Sequence, residues 1–113
     1  MIRRVLDNVV RDKLFKGKAI IIMGPRQVGK TTLLKQLFAG SDEDVLWLNG
    51  DEQDVRDLFE NISSSRLKLI IGNKKVIIID EAQRITDIGI KLKLITDQIP
   101  QVQLIATGSS SFE

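Results

Sequence analysis

Eight residues at positions 24–31, GPRQVGKT, have the types and the spacing needed to hold a phosphate group. They fit the pattern G-x-x-x-x-G-K-[S/T] at every position, and they directly follow the apolar stretch 19–23, AIIIM. Where a buried strand leads through such a loop into a helix, successive backbone N–H groups surround a phosphate and the lysine adds a positive charge. The residues predicted to bind phosphate are Gly24, Pro25, Arg26, Gln27, Val28, Gly29, Lys30, Thr31 and Thr32.

Two adjacent carboxylates, Asp80 and Glu81, follow the apolar run VIII at positions 76–79. Open α/β sheets bind ligands at the carboxyl ends of their strands, which is where this pair would lie. Mg²⁺ on a phosphate prefers hard oxygen ligands, and the sequence offers the Thr31 hydroxyl and, through water, Asp80. Glu81 would then polarise a water molecule for in-line attack on the terminal phosphate, with Lys30 as its catalytic partner. The alternative is that the two carboxylates only cap the next helix.

A third polar segment, ATGSSS at positions 106–111, follows the last apolar run of the chain. Its small hydroxyl side chains could contact the terminal phosphate from the side and position the attacking water. Ser109 is the residue assigned to this catalytic role, while Thr107 and Ser110 fit the same position and stay open. A plain loop is an equally good interpretation of the segment.

Composition limits the chemistry that the 113-residue chain can perform. It has no cysteine and no histidine, so disulfides, Cys/His zinc sites, cysteine nucleophiles and histidine bases are excluded. A formal charge of +2 is too small to indicate nucleic-acid binding, and nucleic acid as a partner is left open. No apolar stretch reaches about 18 residues, and charges occur too early for a secretory signal. The expectation is a cytoplasmic chain that does not cross a membrane.

Apolar patterning predicts strands that alternate with helices in one α/β domain. Strands are predicted at 19–23, 45–49, 76–79 and 102–106, and helices at 3–15, 30–39, 55–62, 67–71 and 88–99. Asp51 with Asp54 is the predicted cap of the third helix, and the serines at 63–65 interrupt the helical pattern after it. Such an order implies right-handed parallel crossovers and a three-layer sandwich around a mostly parallel sheet of about four strands.

At these three motifs the chain resembles the AAA-type branch of the P-loop ATPases. More narrowly, it is similar to prokaryotic ATPases that read GPRQVGKTT, then a DEAQR-type second motif, then TGSSSFE. Those segments are residues 24–32, 80–84 and 107–113 here, so the resemblance spans nearly the whole chain.

The resemblance implies roles for the residues of the motifs. ATP would be the ligand of residues 24–32, and Mg²⁺ would be held through Thr31 and Asp80. Glu81 would be the catalytic base, and residues 107–110 would fall at the sensor position.

The resemblance also bears on domain organisation. Relatives continue with the rest of the ATPase domain and then with a C-terminal region described as nuclease-like. Residues 1–113 are therefore expected to be a partial AAA-type ATP-binding domain, truncated before a fifth strand and a helical lid and weak or inactive in hydrolysis. Within it, residues 1–17 form an N-terminal helix and residues 18–113 the P-loop core. The strand before the phosphate loop would lack one neighbour, and its open edge would favour self-association.

Other nucleotide-dependent functions differ from this expectation at identifiable residues. A GTPase is excluded because residues 80–83 read DEAQ where Asp-x-x-Gly is needed, and NKKV at 73–76 lacks the aspartate that reads guanine. A small-molecule kinase is disfavoured because no lid arginines are present. A helicase motor with a DEAx-like box and a nucleotide-gated interaction module without turnover remain as alternatives.

Overall fold

The computed structural model describes residues 19–23, 30–40 and 44–108 of the chain. Three predicted features lie outside the described residues: the N-terminal helix at 3–15, the phosphate-loop residues 24–29, and the segment 109–113 with Ser109 and Ser110.

Four strands form one sheet within the described residues. They span Ile20–Met23 (β1), Val45–Asn49 (β2), Val76–Asp80 (β3) and Gln103–Gly108 (β4). Their order across the sheet is β1-β4-β3-β2, and every neighbouring pair is parallel. Each residue of β3 is buried, which fits its β-branched sequence and its interior position in a parallel sheet.

Four α-helices alternate with these strands in the described ranges. They span Lys30–Leu37 (α1), Gln53–Glu60 (α2), Ser64–Ile71 (α3) and Ile88–Gln98 (α4). The serine interruption is confirmed, because Ser63 is the N-cap of α3 and its side chain accepts a hydrogen bond from the Arg66 N–H. None of the described helices has the length and apolarity needed to cross a membrane.

Helices cover both faces of the sheet, so the fold is the predicted three-layer α/β sandwich. On one face, Leu34 of α1 packs with Ile78 and Ile105. On the other face, Phe59 of α2 packs with Ile77 and with apolar residues of α3 and α4. All five of these side chains are fully buried. Ile77 and Ile78 serve opposite cores because successive strand residues point to opposite faces.

The end of the last strand differs from its prediction. The sequence predicts a strand at 102–106 followed by a loop, whereas β4 continues through Thr107 and Gly108. Parallel pairing with β1 extends to these two residues, and the pairing outweighs the loop preference of a Thr-Gly dipeptide. Thr107 therefore lies inside the sheet.

Several helix ends also differ from prediction. α1 ends at Leu37 rather than at residue 39. The cap predicted from Asp51 and Asp54 is wrong, because Glu52 occupies the N-cap position of α2 and its side chain makes no capping hydrogen bond. Asp51 instead donates its N–H to Asn49 Oδ1 at 2.9 Å, which shapes the turn after β2.

One side of β1 forms an edge of the sheet that the structure describes. β1 pairs with β4 on its other side, and the Ile21 side chain is 50% exposed. This arrangement agrees with the open strand edge expected from the sequence.

Candidate functional site

The carboxyl ends of the four described strands lie along one edge of the sheet, because every pair is parallel. Asn49 pairs in register with Asp80. Met23 pairs with Gly108, the residue that follows Thr107. The last residues of the four strands therefore line one edge of the sheet, which is where an open α/β sheet binds its ligand.

Asp80 is a buried carboxylate at the end of β3, with 4% of its surface exposed. Its Oδ1 atom accepts hydrogen bonds from Thr107 Oγ1 at 2.5 Å and from the Glu81 N–H at 3.1 Å. A buried carboxylate is costly unless such bonds replace its hydration. The two bonds fix the orientation of the carboxylate at the edge of the sheet.

Thr107 links the two acidic residues. Its fully buried hydroxyl donates to Asp80 Oδ1 and accepts from the Glu81 N–H at 3.2 Å. One hydroxyl can do both, since it has one hydrogen to donate and two lone pairs. Of the three hydroxyl residues considered for the sensor role, Thr107 lies against the acidic pair, and Ser109 and Ser110 lie outside the described residues.

Glu81 adopts a left-handed backbone conformation, with φ of 49° and ψ of 47°. L-residues adopt this conformation only at a steric cost. Its side chain is buried, and Oε1 accepts a hydrogen bond from Gln83 Nε2 at 2.8 Å. It makes no capping hydrogen bond to the short 3-10 helix Ala82–Arg84 that follows. The capping alternative therefore does not explain Glu81.

Two residues at this edge, Gly50 and Gln83, have no role predicted from the sequence. Gln83 orients the Glu81 carboxylate, and Gly50, directly after β2, donates its N–H to the main-chain oxygen of Asp80 at 2.7 Å. Gly50 could have been found, because a glycine that ends a strand beside the acidic strand suggests close backbone approach. Gln83 lies in the DEAQR motif, but the motif alone gave it no role.

The phosphate-binding prediction is described only at its C-terminal end. Lys30, Thr31 and Thr32 begin α1, and residues 24–29 separate them from β1. β1 ends at the same sheet edge as Asp80, and the chain runs from this strand through residues 24–29 into helix α1. This is the order of elements that a phosphate loop requires.

Comparison with known proteins agrees with this architecture. The family described as AAA domain matches residues 16–113. The chain is 36% identical over 77 residues to the replication factor C large subunit of Methanosarcina acetivorans, which covers 66% of this chain and 13% of that protein. Against the protein of the same name from Methanosarcina mazei it is 31% identical over 70 residues, or 60% of this chain and 12% of that protein.

The fold is that of a P-loop NTPase core, in which a parallel sheet carries its polar site at the carboxyl edge. The chain belongs to the AAA domain family. That membership makes it an ATPase-type nucleotide-binding module. It spans 13% and 12% of the length of the two replication relatives.

Proposed function

We propose that the chain is the ATP-binding core of an enzyme that hydrolyses ATP with Mg²⁺. The observation that carries the proposal is the buried pair Asp80 and Glu81, joined by the Thr107 hydroxyl at the carboxyl end of β3. Buried carboxylates fixed at a ligand-binding edge are typical of functional sites. Membership of the AAA domain family supports a nucleotide as the ligand.

Phosphate binding falls to the segment between β1 and α1 in this proposal. The backbone N–H groups of residues 24–29, except that of Pro25, which has none, would surround the phosphates, and Lys30 would supply a positive charge. Thr31 and Thr32 continue the contacts at the first turn of α1. The N-terminal end of a helix favours an anion there, because its free N–H groups and dipole carry partial positive charge.

Thr31 and Asp80 are the proposed metal ligands. Both offer the hard oxygen donors that Mg²⁺ prefers, so the residues present fit the ion. When bound, Mg²⁺ neutralises charge on the phosphate oxygens. The hydrogen bonds from Thr107 and from the Glu81 N–H orient the Asp80 carboxylate in advance, as outer partners of metal ligands do.

Glu81 is the proposed general base. The Gln83 amide holds its Oε1 atom, which directs the carboxylate at the edge of the sheet. From there Glu81 accepts a proton from the water that attacks the terminal phosphate. Lys30 supports the reaction through its charge, and Ser109 stays the proposed contact to the terminal phosphate.

The proposed boundaries follow the motif resemblance. We propose residues 1–17 as an N-terminal helix and residues 18–113 as the P-loop core of an AAA-type domain. In the intact protein we expect the ATPase domain to continue and a nuclease-like region to follow, as in the relatives that share the three motifs.

Equilibrium binding of labelled ATP tests the proposal. Replacing Lys30 with alanine is expected to weaken ATP binding about 10- to 100-fold, the loss of one charged hydrogen bond. Lys68→Ala is the matched control, because Lys68 is an exposed lysine on α3, which packs on the opposite face of the sheet from α1. Lys68→Ala should bind ATP with the same affinity as the wild type. Equal ATP binding by wild type and Lys30→Ala would contradict the proposal.

A nucleotide-gated interaction module without turnover is the second candidate function. Two observations favour it: both replication relatives are named as a large subunit, and the β1 edge with Ile21 is exposed in the described sheet. An exposed strand edge can pair with another chain. In this version ATP binding at the acidic edge controls self-association or partner exchange. Such a module would assemble in response to ATP without depending on the Glu81 base.

A further inference from the structure

Gly50 approaches the backbone of the acidic pair closely. Its N–H donates to the main-chain oxygen of Asp80 at 2.7 Å. A Cβ atom added at position 50 would overlap the carbonyl oxygen of Glu81 and would lie 3.1 Å from the Glu81 carbonyl carbon. Because glycine has no Cβ atom, the chain just after β2 can come this close to the backbone of Asp80 and Glu81.

Gly50 is also fixed on its other side. Arg56 of α2 donates from Nη1 to the Gly50 carbonyl oxygen at 2.8 Å and from Nη2 to Gln53 Oε1 at 2.9 Å. Gln53 in turn donates to Asp57 Oδ1 at 2.8 Å. The N–H of Gly50 is therefore tied to β3, and its carbonyl is tied to the first turns of α2.

The residue that this contact supports has an unusual backbone. Glu81 is in the left-handed region at φ of 49°, and its carbonyl oxygen is the atom that a side chain at position 50 would displace. A non-glycine residue keeps such a conformation only where the surroundings determine it. The turn after β2 supplies one of those constraints.

We propose that Gly50, held by Arg56, is a positioning residue that sets the backbone of Glu81 and thereby aims its carboxylate. This role rests on the proposed function, in which Glu81 activates water. The role assigned to Gly50 requires no contact with the phosphates or with the reacting water. It acts through the peptides on either side of Glu81.

Turnover kinetics of the intact protein test the role with Gly50→Ala and Gly40→Ala. Gly50→Ala should lower kcat about 100-fold, because a displacement of the Glu81 carboxylate by about 1 Å misaligns the base. The KM for ATP should stay within about threefold of the wild-type value. Gly40 has φ of 86° and nothing within 4 Å of an added Cβ, so alanine there strains the backbone without touching the site. Gly40→Ala should lower thermal stability and leave kcat per folded molecule unchanged.

Arg56→Met adds a test that does not crowd the site. It keeps a long side chain and removes both hydrogen bonds, so the Gly50 carbonyl loses its anchor. The readout without turnover is hydrogen exchange at the Glu81 amide, which bonds to Asp80 and Thr107. The protection of the Glu81 amide against exchange should fall about tenfold in Gly50→Ala and in Arg56→Met, which corresponds to the loss of one hydrogen bond. The Ile78 amide should stay protected in both variants.

The outcomes separate this role from the proposed function. Suppose the wild type hydrolyses ATP, while Gly50→Ala and Arg56→Met leave kcat and hydrogen exchange at the Glu81 amide unchanged. This result would overturn the positioning role and leave the proposed function standing. A wild-type protein that does not hydrolyse ATP would contradict the proposed function and the role together.

Discussion

Gln103 and Thr107 lie towards opposite ends of β4, and both are buried polar residues of one strand. At the amino end, Gln103 Nε2 donates to the main-chain oxygen of the adjacent Leu104 at 3.1 Å. At the carboxyl end, Thr107 bonds to Asp80, 27 positions away in the chain. A polar group that bonds to its own strand supports that strand. One that joins the carboxylate of a neighbouring strand supports a site.

The same contrast separates the two edges of the sheet. At the amino edge, Val76 begins β3 as a buried apolar residue, whereas at the carboxyl edge the strand ends in the Asp80 carboxylate. Burial of polar groups is tolerated where hydrogen bonds replace water. Three of the four buried polar residues in the described part of the chain, Asp80, Glu81 and Thr107, lie at the carboxyl edge. This is the edge at which the proposed chemistry lies.

The largest expected effect is at Glu81. Glu81→Gln keeps the shape of the side chain and an oxygen that can accept from Gln83, but it removes the proton acceptor. We expect ATP turnover to fall about 10²- to 10⁴-fold with ATP affinity retained. The matched control is Glu60→Gln, an exposed carboxylate at the end of α2, which should turn over normally. Single-turnover hydrolysis in the intact protein measures both.

This substitution also separates the two candidate functions. If Glu81→Gln leaves hydrolysis unchanged but alters ATP-dependent assembly, measured by light scattering, the base is wrong and the interaction module is favoured.

A smaller effect is expected when the two polar residues of β4 are replaced by apolar ones. Thr107→Val removes a hydrogen bond to each acidic residue and should lower the free energy of unfolding by about 1–3 kcal/mol. Gln103→Leu should cost about 0.5–1.5 kcal/mol, because it removes a local bond. Denaturant unfolding measures both changes.

The two variants should differ in ligand binding. Thr107→Val should weaken Mg²⁺-dependent ATP binding about tenfold, and Thr107→Ser should restore it because the hydroxyl returns. Gln103→Leu should bind like the wild type. An equal loss of affinity in Thr107→Val and Gln103→Leu would show that the contrast between the two ends of β4 has no functional meaning.

Elements with strong local patterns could be predicted from the sequence. β2 has the predicted bounds, and β3 is one residue longer than predicted because Asp80 continues the ladder. The run of β-branched residues in β3 favours a buried strand, and the structure confirms one. The serine interruption before α3 was equally local, since a serine cap needs only the residues beside it.

The rest depends on contacts between distant parts of the chain. Thr107 belongs to β4 because β1 pairs with it, and no residue near Thr107 encodes that pairing. The left-handed backbone of Glu81 and the approach of Gly50 likewise arise where strands from separate parts of the chain meet. The acidic pair itself could be predicted, but the hydrogen bonds that orient it could not.

The most direct measurement is the affinity for ATP, with and without Mg²⁺, of the wild type, Asp80→Asn and the exposed control Asp97→Asn. Mg²⁺ should tighten ATP binding about tenfold or more in the wild type and in Asp97→Asn. In Asp80→Asn, Mg²⁺ should change the ATP affinity little. All three should bind metal-free ATP alike. If Mg²⁺ tightens ATP binding equally in Asp80→Asn, the carboxyl edge of β3 is not the metal-dependent nucleotide site.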